Sequence, residues 1–305
     1  MKQLIAALLL ATFSLLAMAK ETITIVYSWG ASDQAANFYR TLATESNKIQ
    51  DKYNFIIDYK PGAGGSIAAK YVESNTNVIL ANSSALFIRP IFYPEGSHDP
   101  IMFKSIMPMC LAPLVIVSGK YKSWTDVPTN KPITIGHSGN GSTTHLIAVQ
   151  IAEKFPNLEI IPFKSTSDAF ISTIQGSTDF AVGFVGDADG WQDTGKLGKN
   201  AYLLGTSGSI RIKNIPLLTA QGFPSILKDM TAAQQLFVSN KFPDDKFKEI
   251  RSIFVKAARE ESVKHANAQD YCVPNNQMAH GELDAWFTSQ ANYWKRVATP
   301  VVAKQ

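Results

Sequence analysis

Four short segments carry residues whose types and spacing suit ligand binding: YSWGASD at 27–33, PGAGGS at 61–66, NSSA at 82–85 and HSGNGSTT at 137–144. Each is rich in glycine or hydroxyls, follows a β-type run and precedes a helical pattern. Glycine lets a backbone approach a ligand closely, and hydroxyls hydrogen-bond without fixed charge. The free N–H groups of a helix start favour an anion. One such terminus contributes only about 0.3–2 kcal/mol, so several must converge to hold a small anion. Turns use the same residues, so no segment alone decides the matter. Four at equivalent strand ends weigh toward a binding cleft.

Catalytic patterns are incomplete. GHSGN at 136–140 puts Asn140 where a nucleophile elbow needs its last glycine, which disfavours a hydrolase using Ser138 or Ser142. Residues 139–144 and 62–67 both lack the third glycine of a dinucleotide fingerprint, and no phosphate-loop motif occurs. His98, His137, His145, His265 and His280 show no zinc spacing and join no cysteine cluster. His137 and His145 flank the fourth segment and read as capping or packing residues. Asp187 and Asp189 lack an EF-hand and read as a solvated loop. No enzyme activity, cofactor or metal is expected.

The elements that must position these segments are short and alternate. β-type runs at 22–27, 55–58, 78–81, 114–117, 133–135, 158–163, 180–184 and 202–204 are interleaved with helical patterns at 33–49, 65–73, 142–155 and 169–175. This predicts an α/β fold with parallel sheets covered by helices, in two lobes. Open α/β sheets bind ligands beyond the carboxyl ends of their strands, where the four segments lie. From about Pro243 apolar residues recur at helical spacing, so long helices close the chain, with Asp244 or Asp245 as an N-cap.

The first 19 residues read differently. Lys2 precedes an apolar run at 4–16, and Ala17-Met18-Ala19 supplies a cleavage site ahead of Lys20. The run is too short to span a bilayer, so residues 1–19 read as a signal peptide cleaved after Ala19. The formal charge of +4 loses one cation with that segment, and no long basic run exists, so no nucleic-acid partner is expected. Cys110 and Cys272 permit one disulfide in an exported protein, or two separate buried thiols.

Several segments, in order, resemble those of the Bug family, the periplasmic substrate-binding proteins of tripartite tricarboxylate transporters. DYKPGAGGSIAA at 58–69, ITIGHSGNGSTTHL at 133–146, IPFKS at 161–165 with IQGSTD at 174–179, and IPLLT at 215–219 with GFP at 222–224 match family segments. The resemblance implies a periplasmic binding protein fold of type II, with ligand held between two lobes. Lobe one would be residues 20–110 and 225–305, and lobe two 111–224. It implies a monomer in the periplasm that passes a small organic carboxylate to integral-membrane permease subunits. A sensor presenting the same ligand to a membrane receptor is the alternative. Carry-over places the ligand carboxylate against the first, third and fourth segments, at Gly30, Ala31, Ser32, Asp33, Ser83, Ser84, Ser138, Gly139, Asn140, Gly141, Ser142 and Thr143. Lys164 stands at a family lysine and either packs the lobes or contacts ligand, while Trp29 and Phe184 are expected to add apolar surface to the cleft, with lobe packing as the alternative for Trp29. Such sites use backbone amides, hydroxyls and water with few arginines, and the four segments carry no cation except Lys60 at an edge. Two departures stand out: Trp29 replaces a family glycine, and Gly183-Phe184 stands where the family has a Phe-Asp-Asn segment. They predict a carboxylate with an apolar body, or one smaller than citrate.

Overall fold

The structure is a computed structural model describing residues 20–198, 201–269, 271–274 and 278–303. The expected signal segment lies outside the described residues. β1 (Glu21–Tyr27), β2 (Tyr53–Tyr59) and β3 (Val78–Asn82) alternate with α1 (Gln34–Lys48), α2 (Ser66–Glu73) and α3 (Ala85–Phe92). A long β4 (Phe103–Ser118) leads to β5 (Ile133–His137), α4 (Thr143–Ala152), β6 (Leu158–Pro162), α5 (Thr166–Ile174), β7 (Phe180–Phe184), α6 (Val185–Asp193) and β8 (Tyr202–Thr206). β9 (Thr231–Ser239) returns to the first sheet. It is followed by α7 (Asp244–Ala257), α8 (Glu261–Gln269), β10 (Val273–Pro274) and α9 (Leu283–Val302).

β4 joins two sheets. Its first part, Phe103 to Pro113, runs antiparallel to β9, and Leu114 to Ser118 pairs with β7 and β8. Proline lacks the donor a ladder needs, so Pro113 suits the point where pairing passes from one sheet to the other. β1 pairs in parallel with β2 and β3, and β5 with β6 and β7, which gives each sheet a parallel α/β half.

The sheets are thus mixed, not parallel throughout. β3–β9, β4–β9, β4–β7 and β4–β8 are all antiparallel. β9 is a strand that the sequence pattern does not announce, because TAAQQLFVS is buried on both faces and shows no alternation. Helices α3 and α6 were likewise unmarked. Asp187 and Asp189 lie in α6, not in a solvated loop, and Asp187 is 3% exposed. Asp244 and Asp245 occupy the first turn of α7, whose N-cap is Pro243.

Helix burial follows the layers. α4 is buried on every side through Ile151, its polar residues included, as a helix between sheet and cover must be. α9 packs on α3, α4 and β4, so the chain end braces both lobes. Cys110 and Cys272 are disulfide-bonded with Cα atoms 5.3 Å apart, pinning β10 to β4 beside the sheet junction.

Candidate functional site

Loop 28–33 begins where β1 ends. Ser28 Oγ donates to the Ala81 carbonyl of β3 at 3.0 Å, which holds the loop against the sheet. Trp29 then reaches the opposite lobe, its indole Nε1 donating to the Ser138 carbonyl at 3.3 Å. The ring is 7% exposed and divides the cleft into an inner chamber and an outer groove.

Tyr27, Trp29, Asp33, Ser83, Ser138, Ser142, Thr143, Thr144, Thr166 and Phe184 line the chamber. Its free space is about 10 Å³, enough for one water. Ser142 caps α4 by accepting from His145 N at 3.1 Å. Its hydroxyl and that of Ser138 each lie 2.8 Å from Thr144 Oγ1, and Ser138 N donates to the same oxygen at 3.0 Å. These bonds fix the helix start and leave the Thr143 hydroxyl buried without a protein partner. An unpaired hydroxyl in a buried site costs free energy until something bonds it.

The lobes meet through exchanged polar contacts. Asp33 of the first loop accepts from Ser167 Oγ at 3.1 Å and Ser167 N at 3.4 Å, at the start of α5. Asp187 of α6 accepts in turn from Gln34 N at 2.6 Å, at the start of α1. Each carboxyl therefore caps a helix of the opposite sheet. Burial raises the Asp33 pKa well above the ordinary aspartate value, with the Asp187 charge adding to it. Burial likewise pushes Asp187 up to about 7, against the opposing Gln34 hydrogen bond. The shift favours the protonated form of Asp33, the form that does not repel an anion in the chamber.

The outer groove, about 530 Å³, is lined by Trp29, Gly62, Ala63, Gly64, Arg89, Ser138, Gly139, Asn140, Pro162, Phe163, Lys164 and Asp168. Two glycine turns meet backbone to backbone in its wall. Gly64 has φ +58°, and a Cβ there would lie 2.3 Å from the Asn140 carbonyl oxygen. Gly141, at φ +78°, lies under Arg89, whose Cδ would be 2.6 Å from an added Cβ. Arg89 Nη1 donates to the Asn140 carbonyl at 2.6 Å, and its guanidinium lies over the Tyr93 ring.

The residues picked from sequence divide into three groups. Trp29, Asp33, Ser83, Ser138, Ser142, Thr143 and Phe184 line the chamber, and Gly139, Asn140 and Lys164 line the groove. Gly30 packs beside Ser165 and Gly141 beneath Arg89, so both shape the walls. Ala31 and Ser32 are exposed and line neither cavity, while Ser84 Oγ is taken by Ala233 N of β9 at 2.9 Å. Lys60 turns to Asp58 at 3.1 Å.

Tyr27 and Thr144 lie in the segments picked from sequence but were not named as ligand contacts, and sequence reasoning missed Thr166 and Arg89 altogether. Thr166 had a signal: Ser165 accepts from Asp168 N as an N-cap, and S-x-x-D before a helix is a capping pattern. Arg89 had none, because it comes from within α3 rather than from a loop. The cleft is therefore not free of arginine. His137 and His145 stack with centroids 4.6 Å apart, and burial depresses them to about 3 and about 4, so they serve as neutral packing. Among the described residues no cluster of metal-ligating side chains occurs.

No family model and no curated protein matches the chain. Solved structures do. The chain superposes on periplasmic binding protein BugD with TM-score 0.83 at 17% identity, covering 92% of this chain and 97% of that one. An R. palustris protein solved with adipate gives 0.81 at 15%, over 94% and 98%. MatC from Rhodopseudomonas palustris with bound malate gives 0.80 at 16%, over 91% and 99%. Identities this low speak for architecture. The chain has the periplasmic binding protein fold, two α/β lobes with a cleft between them.

Proposed function

We propose that the protein is a periplasmic solute-binding protein of the Bug type that captures a small organic carboxylate and delivers it to a tripartite tricarboxylate-type permease. The observation that carries the reading is the chamber: the starts of α3, α4 and α5 converge on it, no cation lines it, and Thr143 Oγ1 is buried there unpartnered. Fixed amides and hydroxyls at helix starts suit a desolvated carboxylate. The ordered sequence resemblance to the Bug family and the fold point the same way. We assign residues 20–110 and 225–305 to lobe one and 111–224 to lobe two, close to where β4 changes sheets. The role is capture and release by a monomer, with no chemical step.

The chamber as it stands admits one water, so a carboxylate enters with the lobes parted and closure follows. The closed form is then what the permease reads, and its population depends on the ligand's differential affinity. A thermal-shift screen of mono-, di- and tricarboxylates against sugars and amines tests this. Ligand at a hundred times its Kd stabilises by about 2.7 kcal/mol, a readily measured shift. Stabilisation by sugars or amines but by no carboxylate overturns the reading.

A further inference from the structure

The groove outside Trp29 holds a cation that the protein leaves uncompensated. Arg89 is half-buried between the lobes, and among the described residues it forms no ion pair. Its Nη1 bonds only a neutral carbonyl, its Nε is buried without a partner, and its face is occupied by an aromatic ring. Burial lowers its pKa with no carboxylate acting against that shift. Removing a guanidinium from water without a counter-charge is unfavourable, and natural sites pair such groups or reserve them for a ligand. Lys164, exposed at the groove's rim, likewise forms no ion pair among the described residues, and Asp168 is the groove's one acidic lining residue.

The groove and the chamber share Trp29 and Ser138 as a common wall. A ligand with one carboxylate in the chamber would run along the indole before its far end met Arg89. We propose that the groove is a subsite for a second acidic group, with Arg89 as its counter-charge and Lys164 at the rim. The preferred ligand is then an organic dianion with an apolar middle. This rests on the carboxylate reading of the chamber and names the ligand class within it.

Calorimetric titration of the mature chain tests the subsite with chain-matched probes, adipate against hexanoate and glutarate against pentanoate. The dianion of at least one pair should bind about tenfold or more tighter, as a charge-assisted hydrogen bond contributes on that scale. Arg89→Gln, which keeps a donor for the Asn140 carbonyl, should bring that ratio close to one, and Arg89→Lys should restore part of it. The preference should also shrink as salt rises, because the groove is open to solvent. A preference that survives in Arg89→Gln overturns the proposal, as does equal loss of both probes, which would make Arg89 a lobe clasp only. Equal wild-type affinity for both members of each pair removes the subsite and leaves the chamber intact. Failure of every carboxylate to bind overturns both.

Discussion

Chamber and groove lie on opposite sides of one indole ring and meet an anion by different means. The chamber offers hydroxyls, helix starts and a carboxyl whose pKa burial raises, and no cation lines it. The groove offers Arg89 and Lys164. Fixed neutral donors recognise a carboxylate by geometry and work where water is excluded. Mobile or rim cations recognise charge at longer range and are weakened by salt. On the proposed reading, the inner site selects the functional group and the outer one selects the rest of the molecule.

The strongest way to break this comparison is to stop the lobes meeting at all. Gly64→Ala places a Cβ 2.3 Å from the Asn140 oxygen at φ +58°. Strain of about 1–3 kcal/mol in the closed form predicts an affinity loss of roughly 5- to 150-fold for any ligand. The clash is between lobes, so calorimetric affinity should fall while the thermal midpoint without ligand moves little. Loss of both together would place the glycine in folding instead.

Thr143→Val removes only the unpartnered chamber hydroxyl. Losing a hydrogen bond to a charged group costs about 1.5–3 kcal/mol, or 10- to 150-fold in Kd. Stability without ligand should hold or rise, since a buried unsatisfied oxygen disappears. Unchanged carboxylate affinity would remove α4 from recognition.

The third prediction concerns pH. Asp33 and Asp187 are carboxyls whose pKa values are raised in the closed form, so closing takes up protons. Their contribution favours closure at low pH and is lost as pH rises through about 7 for Asp187. His98, His137 and His145, depressed by burial to about 4, about 3 and about 4, act oppositely on global unfolding, where stability is lost as pH falls. His145 packs on Phe92 and Tyr93 across the lobes, so Asp187→Asn, which leaves the histidines in place, isolates the carboxyl contribution to closure. Small-angle scattering should show a more open population at pH 8 than at pH 6, and Asp187→Asn should flatten that dependence. An unaltered slope in Asp187→Asn would dissociate the pair from closure.

The smallest effect expected is that of Trp29→Phe, which keeps the partition and deletes one indole bond to Ser138. A neutral hydrogen bond contributes about 0.5–1.5 kcal/mol, so calorimetry should register a change of roughly 2- to 12-fold. Trp29→Gly should instead merge the cavities and widen ligand choice.

The alternation of β-type runs and helical patterns made the fold class legible, and glycine-hydroxyl loops at strand ends made the chamber legible. Local chemistry announces such features. β9 was not legible because its TAAQQLFVS run is buried on both faces and lacks the two-residue period. The exchanged caps of Asp33 and Asp187 were hidden because their partners lie more than 130 residues away. Arg89 was hidden for another reason: no loop composition reveals a side chain that reaches the cleft from within a helix.

A crystal structure of the mature chain with the carboxylate that stabilises it most tests the central claim directly. The account predicts one carboxylate oxygen within hydrogen-bond distance of Thr143 Oγ1 and of an amide at the start of α4, inside a chamber enlarged to fit it. A carboxylate bound elsewhere, such as the basic groove around Lys248, Arg251 and Arg259, with the chamber unchanged, would contradict it.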